Sequence, residues 1–201
     1  MTKKAAETMF SVRFHGRGGQ GVVTAAELLV AAAFSENRYA QAFPSFGSER
    51  MGAPVMSFCR IGESPIRTRE PVTEPDAIIV LDPTLLHQAD ILNGLSTDGY
   101  VLVNSANNLP DLTQRFRQDR LAVIPASFFA TKFLGRPLPG AAMLGGFAAL
   151  TWTVSLDSVL AAINEKFTGK VAEGNAAAAR AAFDFVRDER EALTRKAGAD
   201  A

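Results

Sequence analysis

Phe10, Val12 and Phe14 alternate with Ser11, Arg13 and His15, the period of two that turns one side of an extended chain towards a core. The period then changes. Val22, Val23, Ala26, Leu29, Val30 and Ala33 recur at helical spacing over 22–34, with no Gly or Pro inside. Between the two patterns lies His15-Gly16-Arg17-Gly18-Gly19-Gln20-Gly21. The pattern predicts a strand, a glycine-rich turn and a helix.

Further along, a strand near 39–43 runs into a Ser-, Gly- and Pro-rich loop over 43–52. Residues 54–69 predict a hairpin, with arms at 55–61 and 66–69 around Gly62-Glu63-Ser64-Pro65. Ala77-Ile78-Ile79-Val80-Leu81 is an unbroken apolar run, as in a strand covered on both faces. A helix over 84–93 closed by Gly94 follows, then a strand at 100–104, a short helix at 111–117 and a strand at 121–124. The last third predicts helices over 128–134, 141–151 and 156–167, the last capped by Ser155, and a long Ala-rich helix starting at Asn175. Met143, Phe147 and Trp152 would form one packing stripe, and Gly145-Gly146 a point of close approach. Strands alternating with helices predict an α/β fold, a mainly parallel sheet with an antiparallel hairpin and a helical C-terminal part. The expected organisation is a short tail over 1–8, one domain over 9–190 and a charged tail over 191–201.

Composition narrows the chemistry. The 201 residues carry 21 basic and 21 acidic side chains, so no net field favours nucleic acid or an anionic membrane. One Cys and two His exclude an intrachain disulfide framework and leave little with which to hold a metal or iron–sulfur cluster. Cys59, inside a strand, reads as a packed thiol. Residues 141–154 are the most apolar run and are too short to span a bilayer. A cytoplasmic location is expected. No Ser, Cys or paired carboxylate offers His15 or His87 a catalytic partner. His15, beside the turn, is the better placed of the two to meet a ligand or a subunit.

A strand–glycine turn–helix unit aims backbone N–H groups and a positive helix end at an anion, most often a phosphate. Gly16, Gly18 and Gly21 match G-x-G-x-x-G, but the dinucleotide fingerprint also needs an acid at the end of the second strand. Glu36 comes too early for that and Glu49 lies in the following loop. A turn whose glycines serve packing alone is the competing reading.

Gly16-Arg17-Gly18-Gly19-Gln20-Gly21-Val22 resembles the opening of the gamma subunit, or fused gamma domain, of 2-oxoacid:ferredoxin oxidoreductases. Phe46-Gly47-Ser48-Glu49-Arg50-Met51-Gly52-Ala53-Pro54, the strand ending at Asp82-Pro83, and Met143-Leu144-Gly145-Gly146-Phe147 are similar too, so the resemblance covers about residues 10–185. Met51 stands where the family often has a second Arg. The resemblance implies a subunit, inactive alone, of a complex that oxidatively decarboxylates a 2-oxoacid and transfers the acyl group to coenzyme A. Thiamine diphosphate would sit on alpha and beta partners, [4Fe-4S] clusters on iron–sulfur (delta) type partners, and FAD on a further subunit where NAD replaces ferredoxin as acceptor.

The expected contact set is Gly16, Arg17, Gly18, Gly19, Gln20 and Gly21 on the phosphates of coenzyme A, with the amides of 18–21 as donors and Arg17 as the charged group. Ser48, Glu49 and Arg50 complete the expected cofactor-binding set, and the resemblance implies that they face the active site or another subunit. A free-standing NAD-dependent dehydrogenase and a non-catalytic nucleotide-binding scaffold remain as alternatives.

Overall fold

The computed structural model describes residues 9–45, 52–87 and 91–199. Ser48, Glu49 and Arg50 lie outside the described residues. The chain forms β1 (Phe10–Arg17), α1 (Val22–Ser35), β2 (Tyr39–Ser45), β3 (Pro54–Gly62) and β4 (Ala77–Val80). It continues through β5 (Tyr100–Asn104), α2 (Pro110–Arg115), β6 (Leu121–Ile124), α3 (Ala126–Leu134) and α4 (Gly140–Thr151). Two more helices, α5 (Leu156–Lys166) and α6 (Gly169–Ala199), complete it.

Among the described residues these strands form one six-stranded sheet in the order β2-β3-β1-β4-β5-β6. Pairings β1–β4, β4–β5 and β5–β6 are parallel, and β3 runs antiparallel between β1 and β2. This is the α/β class expected, with its antiparallel element in a different place. The arm at 66–69 is not a strand. Both edges of β3 are already taken, so the chain after Gly62 has no free ladder to join, and it crosses the sheet face instead.

Two buried arginines hold that crossing down. Arg60 Nη2 donates to the carbonyl of Glu70 (2.7 Å). Arg13 reaches the carbonyls of Val72, Ile91 and Asn93 (3.2, 2.9 and 2.6 Å). Irregular backbone under cover of a sheet must find donors for its carbonyls, and these guanidinium groups supply them.

β4 separates two cores, as an unbroken apolar strand should. Ala77 and Ile79 join the larger cluster beneath α1, α4, α5 and α6, whereas Ile78 and Val80 join a smaller one with Val101, Val103, Leu92 and Leu112. The helix expected over 84–93 is a 3-10 turn, Pro83–His87, and Gly94, at φ 79°, closes a second turn after residue 91.

α4 is the centre of the helical layer, buried from Gly140 to Leu150. Gly145 and Gly146 are where neighbours approach: a Cβ on Gly145 would lie 1.9 Å from the carbonyl oxygen of Ala179, and one on Gly146 2.2 Å from Ile124 Cδ1. Met143 and Phe147 are fully buried, but Trp152 leaves the expected stripe. It ends α4 in the left-handed conformation, is 68% exposed and meets Phe183 edge-on. Ser155 caps α5 as expected, its Oγ accepting from Ser158 N (3.1 Å). α6 starts six residues before Asn175, because Gly169 and Gly174 do not break it. Gly174 instead lets α6 pass α3, where a Cβ would lie 2.7 Å from the Phe133 carbonyl oxygen. The helix continues through the expected tail to Ala199.

Candidate functional site: the glycine-rich turn

The glycines between β1 and α1 divide into two kinds. Gly16 is a packing glycine: a Cβ there would lie 2.6 Å from Val22 Cγ2 and 3.2 Å from Leu81 Cβ. Gly19 and Gly21 take φ 92° and 77°, where an L side chain costs about 1–2 kcal/mol. A Cβ on either would meet nothing within 4 Å, so the turn presents an open face.

The donors also divide. Gly18 N donates to the Ala53 carbonyl (2.9 Å) and Gln20 N to that of Arg17 (3.1 Å). Two of the four amides expected to serve an anion are therefore spent inside the protein, because the turn is stitched to its neighbours. α1 begins at Gly21 with no side-chain cap. Among the described residues no acceptor takes the amides of Gly19, Gly21, Val22, Val23 or Thr24, so the positive end of the helix has no protein partner among them. Of these residues Gly19, Gly21 and Thr24 edge a cleft of about 420 Å³, shared with Leu28, Leu138 and the exposed Arg136 and floored by the start of α4 at Gly140. Its lining is mostly apolar, with polar groups at the turn and at Thr24, Arg136 and Asn175.

Arg17 does not project freely. Its Nε donates to Asp82 Oδ2 (3.1 Å), Nη1 to the Gly52 carbonyl (3.1 Å) and Nη2 to Thr84 Oγ1 (2.8 Å). Three of its five N–H groups are used, leaving one on each terminal nitrogen. Gln20 Nε2 joins the same Asp82 oxygen (2.9 Å) while its Oε1 accepts from Arg17 N (2.7 Å). Burial pushes the Asp82 carboxyl up, but hydrogen bonds from Thr84 and Gln20 and the charge of Arg17 bring it below its ordinary range. Gly52 N donates back to the Gly18 carbonyl (3.3 Å). The chain at Gly52 and Ala53 is thus fastened to the turn.

The sequence placed Asp82 and Asn104 at strand ends, and they differ in use. Asn104 is wholly structural, bonded to the Leu81 carbonyl and to Ser127 through both ends of its amide. Asp82 sits where the strand order diverges, with β1 leading to β2 and β3 on one side and β4 on the other, the crevice where open α/β sheets bind ligands.

His15 is turned away from this crevice. It is 5% exposed and accepts from Arg13 Nε (3.0 Å), and burial followed by the Arg13 charge lowers its pKa to about 4. It is neutral and internal, not the ligand-facing group its position suggested, because Arg13 shares its face of β1. Cys59 is buried, and burial pushes its thiol far up. Among the described residues no group of three or more His, Cys, Asp or Glu could hold a metal ion, and no helix is long and apolar enough to cross a membrane.

The dinucleotide geometry is also interrupted. β3 lies between β1 and β2, so the end of β2 is not beside the turn as the fingerprint requires. Glu36, the nearest acid in sequence, accepts instead from Ser155 N (2.7 Å).

The family model for pyruvate ferredoxin/flavodoxin oxidoreductase matches residues 11–185. The chain belongs to this family. The gamma subunit common to the pyruvate and ketoisovalerate oxidoreductases of Pyrococcus abyssi is 47% identical over 178 residues, covering 88% of this chain and 96% of that one. The pyruvate synthase subunit PorC of Methanothermobacter marburgensis is 48% identical, covering 89% and 98%. The crystal structure of the pyruvate oxidoreductase subunit PORC of Thermotoga maritima superposes with a TM-score of 0.76 at 34% identity, over 88% of this chain and 96% of that one. Within the pyruvate ferredoxin/flavodoxin oxidoreductase family the chain is a gamma subunit of a multi-subunit 2-oxoacid oxidoreductase.

Proposed function

We propose that the complex containing this subunit decarboxylates a 2-oxoacid oxidatively, transfers the acyl group to the thiol of coenzyme A and passes two electrons to ferredoxin or NAD. On this reading thiamine diphosphate belongs to alpha and beta partners, and [4Fe-4S] clusters, with FAD where NAD is the acceptor, to delta-type and further partners. The gamma chain binds the coenzyme. The complex acts in the cytoplasm.

One observation carries the coenzyme assignment: the uncapped start of α1, with the Gly19 and Gly21 amides beside it, opens on a cleft with donors at the turn and, Arg136 and Asn175 apart, an apolar lining beyond. Phosphate oxygens suit the first part and the less polar stretches of the coenzyme the second. Arg17, with one N–H left on each terminal nitrogen, adds charge at the rim of the turn, and Gly16 and Gly18 hold its shape. On the same reading Ser48, Glu49 and Arg50 contribute to cofactor binding and face the active site or a neighbouring subunit.

The test is kinetic and uses the assembled complex. Gly19→Val puts a side chain into the open face of the turn and should raise the KM for coenzyme A while leaving that for the 2-oxoacid nearly unchanged. Arg17→Ala should cost about 1.5–3 kcal/mol of coenzyme binding if one of its remaining N–H groups meets a phosphate. If both KM values rise together, or neither moves, the turn shapes the fold or an interface and does not hold the coenzyme.

A further inference from the structure

We infer that Asp82 is the positioning residue of the glycine-rich turn: one carboxylate, through Arg17 and Gln20, sets the backbone of the turn and fastens Gly52 beside it. The inference rests on the coenzyme reading above and assigns a role to a residue outside the turn.

The two carboxylate oxygens do separate work. Oδ1 accepts from Thr84 N (3.0 Å) and Thr84 Oγ1 (2.6 Å), which is all that a turn after a strand requires. Oδ2 is surplus to that turn, and it accepts from Arg17 Nε (3.1 Å) and Gln20 Nε2 (2.9 Å). Each of those side chains then acts on backbone. Gln20 Oε1 takes the Arg17 amide, which fixes the path of the chain as it enters the turn, and Arg17 Nη1 takes the Gly52 carbonyl. The Asp82 side chain is only 13% exposed, so these charged hydrogen bonds are poorly screened. They also balance the Arg17 charge and keep its two remaining N–H groups at a constant orientation. An oriented donor set binds an anion without first paying to order itself.

Asp82→Asn separates the two oxygens. Its amide keeps an oxygen for Thr84 but places an NH₂ where Oδ2 accepted, so Arg17 and Gln20 both lose their partner. In the assembled complex the KM for coenzyme A should rise about tenfold or more, with the KM for the 2-oxoacid within about twofold of wild type. Combining Asp82→Asn with Gln20→Ala should raise it by less than the product of the single effects, since both act through one contact.

A purely structural Asp82 would lower the melting temperature without this split. If Gly19→Val raises the KM for coenzyme A and Asp82→Asn does not, the positioning role is overturned and the coenzyme reading stands. If neither moves that KM, both fall. Should Asp82→Asn fail to assemble, Gln20→Ala alone, which frees only one of the two tethered groups, must show the same selective rise or the inference is rejected.

Discussion

Gly145 of α4 and Ala179 of α6 meet backbone to backbone. A Cβ on Gly145 would stand 1.9 Å from the Ala179 carbonyl oxygen and 2.7 Å from its carbonyl carbon. Neither atom belongs to a flexible side chain, so only a shift of one whole helix could make room. Gly145→Ala should therefore destabilise the subunit by at least the upper end of the roughly 1–3 kcal/mol typical of overpacked cores. Gly198→Ala, in the same helix α6 but with nothing within 4 Å of its Cβ, is the control and should be neutral or stabilising by up to about 1 kcal/mol. Urea unfolding of the two variants checks this, and equal midpoints would contradict the close crossing.

The gamma chain by itself should be catalytically silent. Cys59 is buried with its thiol held protonated, and His15 is neutral and already bonded to Arg13. Given thiamine diphosphate, coenzyme A, a panel of 2-oxoacids and a dye, the purified subunit should reduce nothing. Dye reduction near the rate of a complete complex would refute its role as a dependent subunit.

Arg50→Ala tests the role proposed for residues 48–50. Gly52, two residues on, exchanges hydrogen bonds with Gly18 and Arg17. The variant should lower turnover or loosen assembly while changing the subunit's own stability by only about 0–1 kcal/mol, the scale of an exposed pair. Unaltered kinetics and assembly would make residues 48–50 ordinary solvated surface.

Stability should fall between pH 6.5 and 4 because of His15. Its pKa drops from 6.5 to about 4 on folding, so the unfolded chain binds the extra proton in that interval. The contribution is complete above pH 6.5, is lost as pH falls towards 4, and amounts to about 3 kcal/mol at roughly 1.4 kcal/mol per pH unit. Glu36 and Asp82, held below their ordinary values, give up stability only at lower pH, as they protonate. His15→Gln retains an acceptor for Arg13 without a titrating ring. Denaturant midpoints at pH 7 and pH 5 should differ for wild type and much less for the variant; parallel curves would refute the assignment.

Local pattern alone was enough for much of this architecture. The period of two before the turn, the apolar period after it and the double-sided run at 77–81 each depend on residues close in sequence, and β1, α1 and β4 formed where those patterns lie. Ser155 could be read as a cap, and Gly145-Gly146 as a crossing, for the same reason: each has a cost or a bond that is local. The ordered motifs along the chain also carried its family.

What only the tertiary structure decided depends on partners distant in the chain. β3 took both of its neighbours from other strands, which left 66–69 without a ladder and called on Arg13 and Arg60 to satisfy the covering segment. Trp152 turned outward because α4 ends there in a left-handed residue. In the turn itself, sequence offered four equivalent amides and a free arginine. Folding spent two of the amides on Ala53 and Arg17 and tied the guanidinium to Asp82, 65 residues away. A hydrogen bond across that distance has no periodicity to announce it; it exists because the sheet order brings the ends of β1 and β4 together.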